Sequence, residues 1–318
     1  MEFVKAHGTG NDFVILADRE DAVTLDRGLT RALCDRRTGL GGDGAIRIAP
    51  ARASVEADVF MDYRNRDGSV AEMCGNGVRC VAKVVLDRHW VGGDRLRVDT
   101  RAGVKVVDVA ARHADGRVAQ VHVGMGRPVV GEPVELDISP LVEAPGPEAA
   151  DDGADGGEAL VTAEHRVLAL TTVSLGNPHA VAVVEDVARA PLARWARLAA
   201  AHPAFVDGVN VEVVAAVDEH TVQGRVYERG VGETAASATG ASAIAVAAGR
   251  AGLAGSRVAV RLPGGELACD WRHDGVMLTG PAEVVATGHL DSGWLSARRD
   301  AEPGRDRPDR LPPMLAGS

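Results

Sequence analysis

One kind of helix start occurs twice in this chain of 318 residues. A chain that repeats a supersecondary unit is constrained to fold as copies of that unit. The first run is Glu72-Met73-Cys74-Gly75-Asn76-Gly77-Val78-Arg79-Cys80, and the second is Glu228-Arg229-Gly230-Val231-Gly232-Glu233-Thr234-Ala235-Ala236-Ser237-Ala238-Thr239-Gly240. In each, a small nucleophile-type side chain is followed by two short residues, a glycine and a small-residue apolar helix. Cys74 and Ser237 lie 163 positions apart, and Asn11 and Asn177 lie 166 apart. Asn65 and Glu228 each stand nine residues before their Cys or Ser. The near-constant offset predicts two copies of one α/β unit.

The pattern between these landmarks fits that reading. Short apolar runs bounded by Gly- and Asp-rich turns predict strands at 3–6, 13–16, 57–63, 96–100, 104–110 and 118–123 in the first half. The second half repeats the order at 167–175, 180–184, 208–214, 221–227, 258–262, 266–271 and 276–279. Helices are expected over 75–89 and 238–251. The first is apolar on most sides and so expected to be buried. Asp67-Gly68 marks a tight turn between Asn65 and Ser69. The expected domains are 1–127 with about 284–297, and 128–283. A flexible acidic loop is expected at 144–157 and a loose, Pro-rich tail at 298–318.

Charge and cysteine usage narrow the function classes. The net charge of −10 argues against nucleic acid as a partner. Six of the acidic residues fall between Glu143 and Glu158, so the rest of the chain is nearly balanced. No apolar run approaches the ~20 residues that span a bilayer, so no membrane partner is expected. The four cysteines form no CxxC pair, which gives no metal-binding signature, and free thiols without a signal segment suggest the cytoplasm. A thiol at a helix N-terminus is the setting that lowers a cysteine pKa, so Cys74 is expected to be unusually acidic.

Five motifs in order carry a family resemblance. They are His7-Gly8-Thr9-Gly10-Asn11-Asp12-Phe13; Gly39-Leu40-Gly41-Gly42-Asp43-Gly44; Asn65-Arg66-Asp67-Gly68-Ser69 with Met73-Cys74-Gly75-Asn76-Gly77; Gly176-Asn177-Pro178-His179-Ala180-Val181; and Glu228-Arg229-Gly230-Val231-Gly232-Glu233-Thr234. Together they resemble the diaminopimelate epimerases, especially actinobacterial ones, from Met1 to about Leu295. The resemblance implies an α/β (α+β) fold of two pseudo-twofold-related domains. Each would be a curled sheet around a central helix, with the active site in the cleft between them. It implies epimerisation at one α-carbon of LL-2,6-diaminopimelate, an amino-acid substrate, without pyridoxal phosphate or metal; no cofactor is expected. A homodimer is the expected assembly.

Carried over residue by residue, the resemblance makes Cys74 the proton-donor thiol and Ser237 the opposing group. Asn11, Asn65, Asn177 and Asn210 become amide ligands of the substrate. Gly75, Asn76, Ala238 and Thr239 stand at the substrate carboxylate, and Arg229 at the distal one, where a planar fork suits bidentate contact. Glu228 and His179 tune the acid/base pair or hold the substrate. The departure lies at the second helix start, where the family has Cys-Gly and this chain has Ser237-Ala238. A hydroxyl is a far weaker acid than a thiol, so Ser237 needs a neighbouring base, with His179 and Glu233 as candidates. Ala238 adds a methyl near the carboxylate seat and would be strained if its φ were positive. A single-base amino-acid dehydratase or lyase and a non-catalytic diaminopimelate-binding protein are the rival readings.

Overall fold

The computed structural model describes residues 1–139 and 166–299. The acidic stretch at 144–157 and residues 300–318 therefore lie outside the described residues. Arg298, expected to open a tail, instead belongs to a helix and stacks on the Trp294 ring at 4.0 Å. Among the described residues the α-helices are α1 (Arg27–Cys34), α2 (Gly75–Asp87), α3 (Leu192–Ala200), α4 (Ala238–Arg250) and α5 (Ser292–Arg299). The strands join in one hydrogen-bonded sheet that curls around α2 in one half and α4 in the other.

The two halves share one pairing sequence. In the first, Glu2–Gly8 pairs antiparallel with Asn11–Ala17, which runs parallel to Gly44–Pro50. That strand pairs antiparallel with Val59–Asn65, then parallel to Arg95–Thr100, then antiparallel through Gly103–Arg112 to Val118–Gly126. In the second, the same alternation runs through Val167–Ser174, Pro178–Val183, Asn210–Asp218, Thr221–Glu228, Arg257–Leu262, Gly265–Arg272 and Gly275–Pro281. The registers correspond: Phe13 sits opposite Gly44, and His179 opposite Asn210. The offset seen in the loops is thus the offset of the strands, which gives the pseudo-twofold relation.

Two connections tie the halves together. Val118–Gly126 and Gly275–Pro281 pair antiparallel with each other. Each half's last strand is also followed by an arm that crosses over. Glu283–His289 pairs with Glu2–Gly8, and Val134–Asp137 pairs with Val167–Ser174.

The central helices are buried although α2 carries a polar stripe of Asn76, Arg79 and Lys83, which is buried with it. All of α2 from Gly75 to Leu86 is buried, and α4 is mostly alanine with Ile244 and Val246. Alanine is the best helix former and lets strands approach closely. Both helices sit in one continuous apolar core. Two smaller cores lie beneath α3 and beneath α1 and α5. No helix among the described residues is long and apolar enough to cross a membrane.

Candidate active site

The first turns of α2 and α4 meet where the halves join. Cys74 is the N-cap of α2 and Ser237 the N-cap of α4, both with extended backbone. A Cβ built on Gly75 would lie 2.5 Å from the Ala238 methyl. The junction therefore has room for one methyl group and not two. Ala238 lies in the first turn of α4, and the positive-φ non-glycine residues described are Thr9, Asp21 and His89. The expected strain at Ala238 is absent, and its side chain, 3% exposed, is packed against Gly75. Both helices direct first-turn N–H groups and the positive ends of their dipoles toward this meeting point.

On the first-half side, Asn11 is held from both ends. Its Nδ2 donates to Asp43 at 2.9 Å, so its Oδ1 faces Asn76 Nδ2 at 3.1 Å and the Cys74 sulfur at 3.8 Å. Asp43 also accepts from the Asp12 N–H at 3.2 Å and pairs with Arg36 at 2.9 Å. Lys5 and Arg36 hold the Asp12 carboxyl well below the usual carboxylate range, against the effect of its burial. Asn65 closes the predicted turn, accepting from Tyr63 at 2.9 Å and donating to Ser69 at 3.0 Å.

The expected acidity of Cys74 is not what the structure shows. Burial pushes its thiol up to about 11, and the Glu228 carboxylate adds to the rise. The Gly77 and Asn76 amides and the Arg79 guanidinium pull the other way without prevailing. Desolvation outweighs the helix start. Cys74 is thus a protonated thiol at neutral pH. It is half-buried, whereas Cys34, Cys80 and Cys269 are buried, each with its thiol pushed up to about 12.

The second-half side is organised around Glu228. Its carboxyl is raised, first by burial and then by Glu212, while hydrogen bonds from Thr234 and Ser237 and the charge on His179 oppose the rise. Thr234 donates to Glu228 at 2.6 Å. The Ser237 oxygen caps α4, accepting the Gly240 N–H at 3.2 Å. The carboxyl that Ser237 acts on is thus Glu228, while both candidates from sequence are engaged elsewhere. Glu233 is clamped by Arg225 at 2.6 and 2.8 Å, which lowers its pKa. His179 is engaged with Glu212 at 2.6 Å and with the side-chain Oδ1 of Asn177 at 3.1 Å.

The remaining predicted residues divide between this junction and its margin. Asn177 lies 3.4 Å from the Thr239 hydroxyl, which is itself 3.4 Å from Ser237. Asn210 binds backbone on both sides, donating to the Pro178 carbonyl at 2.9 Å and accepting the Arg229 N–H at 2.9 Å. The Arg229 side chain is exposed and donates to the Asp207 carbonyl, so it stands at the rim. Sequence reasoning missed Glu212, Tyr63 and Arg79. The signal for Glu212 was a single charged residue within the apolar run of its strand.

The comparisons with known proteins agree with this fold. A crystal structure described as a "probable proline racemase" from Agrobacterium radiobacter K84 superposes with a TM-score of 0.63 at 16% identity, covering 92% of this chain and 93% of that one. A phenazine biosynthesis protein of the PhzF family from Bacillus anthracis gives 0.59 at 14% identity, over 91% and 98%. These likenesses define the class, a two-lobed α+β fold with a helix at the centre of each lobe. The family model for diaminopimelate epimerase matches residues 3–130 and 171–285. A diaminopimelate epimerase of Pelotomaculum thermopropionicum is 40% identical over 293 residues, covering 91% of this chain and 98% of its own. That of Streptomyces coelicolor is 41% identical over 310 residues, covering 93% and 97%. The chain belongs to the diaminopimelate epimerase family.

Proposed function

We propose that this protein is a diaminopimelate epimerase, interconverting LL- and meso-2,6-diaminopimelate without a cofactor. The observation that carries the reading is the meeting of two helix N-termini at Gly75 and Ala238, with Cys74 and Ser237 at their heads. An α-proton of an amino acid is hard to remove because charge must accumulate on the α-carboxylate. Two helix N-termini aimed at one point supply that stabilisation. Exclusion of water strengthens it.

Inversion needs a base on one face and an acid on the other. Cys74, protonated at neutral pH, is the acid toward one face. On the other, Ser237 accepts the α-proton while passing its own hydroxyl proton to the Glu228 carboxylate, and the reverse reaction uses the same path backwards. Ser237 stands where the family resemblance puts the second thiol, in a chain of actinobacterial type. Arg229, at the rim, pairs with the distal carboxylate.

Proton NMR of LL-diaminopimelate with the protein in deuterium oxide tests the reading. The expected result is loss of one α-proton signal together with appearance of the meso isomer. Exchange without inversion would assign a single-base enzyme, and neither exchange nor inversion would sink the catalytic reading.

A further inference from the structure

Arg79 lies on α2, five residues after Cys74, and is the largest fully buried side chain among the described residues, with no solvent exposure. Its Nη2 donates to the Thr9 hydroxyl at 2.8 Å and to Asn76 Oδ1 at 2.9 Å. Nε and Nη1 have no partner among the described residues. The acidic groups acting on the guanidinium are the thiols of Cys80, Cys74 and Cys269, and no carboxylate compensates it. A buried, unpaired cation opposes folding, and such orphans ask for a reason.

The surroundings show that the place was made for it. A Cβ on Gly8 would lie 2.7 Å from Nη2, and one on Gly280 would lie 2.4 Å from Nη1. Gly8 ends the first strand of one half and Gly280 belongs to the last strand of the other, so the guanidinium fills the seam. The contact continues through Asn76. With its Oδ1 claimed by Arg79, Asn76 must turn its Nδ2 toward Asn11, at 3.1 Å, and toward the carbonyl of Ala236, at 3.0 Å. Ala236 immediately precedes Ser237, so one side chain on α2 fixes both helix starts.

We propose that Arg79 is a positioning residue: an uncompensated cation that locks Asn76 between Asn11 and Ala236 and directs its field at the Cys74 end of α2, where negative charge gathers during proton transfer. The proposal rests on reading Cys74 as a proton-transfer group. Facing Cys74 are Glu228 from the other half, Tyr63 from the strand Val59–Asn65 and Cys80 along α2. Glu228 opposes ionisation of the thiol, and Arg79 is the cation that favours it.

Alkylation of Cys74 by iodoacetamide, followed by mass spectrometry at fixed pH near 9, tests this without any substrate. It can therefore fail or succeed independently of the epimerase reading. Arg79→Met, matched in length but neutral, should slow Cys74 alkylation by about tenfold, one pH unit of thiol acidity. Arg79→Lys, which keeps the charge, should stay within about threefold of the parent. In the parent, raising NaCl from about 0.05 to 0.5 M should change the rate less than about twofold, because a buried charge is little screened. Gly280→Ala, which displaces the guanidinium without removing it, should fall between the parent and the methionine variant. A folded methionine variant that alkylates at the parent rate would overturn the proposal, as would a lysine variant as slow as the methionine one. If the methionine variant does not fold, a severalfold loss of rate with salt in the parent overturns it equally.

Discussion

Replacing Ser237 by cysteine should raise the epimerisation rate by about 10²–10⁴-fold, the usual worth of one general acid or base. That corresponds to roughly 2.7–5.5 kcal/mol of barrier. The structure says the single substitution is sufficient. The Ala238 methyl is buried against Gly75, in the first turn of α4, and not strained. Restoring glycine at 238 would remove a buried methyl, worth about 0.8 kcal/mol. It would also add backbone entropy worth up to about 1 kcal/mol. Ser237→Cys has its own smaller cost, because sulfur is a poor substitute for the hydroxyl that caps Gly240, about 0.5–1 kcal/mol. Steady-state kinetics and thermal melts of Ser237→Cys, Ala238→Gly and the double variant separate these effects. The single cysteine variant should carry nearly all of the gain, and the double variant should melt lower by several degrees with little more activity. The reasoning is refuted if only the double variant is fast, since the methyl would then obstruct the substrate. It is refuted equally if the parent already turns over as fast as Ser237→Cys, since Glu228 would then make the hydroxyl a full equivalent of the thiol.

Glu228→Gln should lower the rate by about 10²–10⁴-fold, whereas Glu233→Gln, which loses only a partly exposed pair with Arg225, should change it by less than about threefold; the reverse order in initial-rate assays would move the base to Glu233. Turnover should fall on the acid side as pH drops through the raised pKa of Glu228, above the ordinary carboxylate range, and on the alkaline side as Cys74 loses its proton near pH 11; an acid limb at the ordinary carboxylate value in a pH–rate profile would exclude Glu228. Limited alkylation with mass mapping should label Cys74 before Cys34, Cys80 and Cys269, and early labelling of a buried thiol would displace Cys74 from the junction. Arg229→Lys should weaken diaminopimelate binding by about 1–3 kcal/mol through loss of the planar fork, and unchanged affinity in calorimetric titration would remove Arg229 from the distal carboxylate.

The sequence revealed the repeat because the repeat is local: its landmarks are loops and helix starts whose spacing survives in the strand register, as Phe13 with Gly44 and His179 with Asn210 show. Elements formed by partners far away in the chain were illegible. Glu283–His289 is largely exposed and carries no clean alternation; it is a strand because Glu2–Gly8 offers it an edge. Gly44–Pro50 was hidden behind its glycine-rich loop. The amphipathic face of α3, with Leu192, Trp195, Ala196 and Ala199 buried, is legible by spacing. At the candidate site, residue positions could be read but their electrostatics could not. A helix start argues for an acidic thiol and burial argues against it, and only the fold says that burial wins at Cys74. Likewise Glu228 and Glu233, five positions apart, look interchangeable in sequence. Arg225 removes one of them.

The crossed arms set a timetable for synthesis. Glu2–Gly8 leaves the ribosome long before one of its two neighbours, Glu283–His289. At about 5–20 residues per second the interval is roughly 15–55 seconds. Throughout it the first half holds an open strand edge, the kind of surface that recruits stray chains. Asn11–Ala17 covers the opposite edge early, and Lys5 puts a charge in the middle of the waiting strand. The nascent chain therefore carries this edge until Glu283–His289 emerges, and a stall shortly before that strand would prolong the exposure.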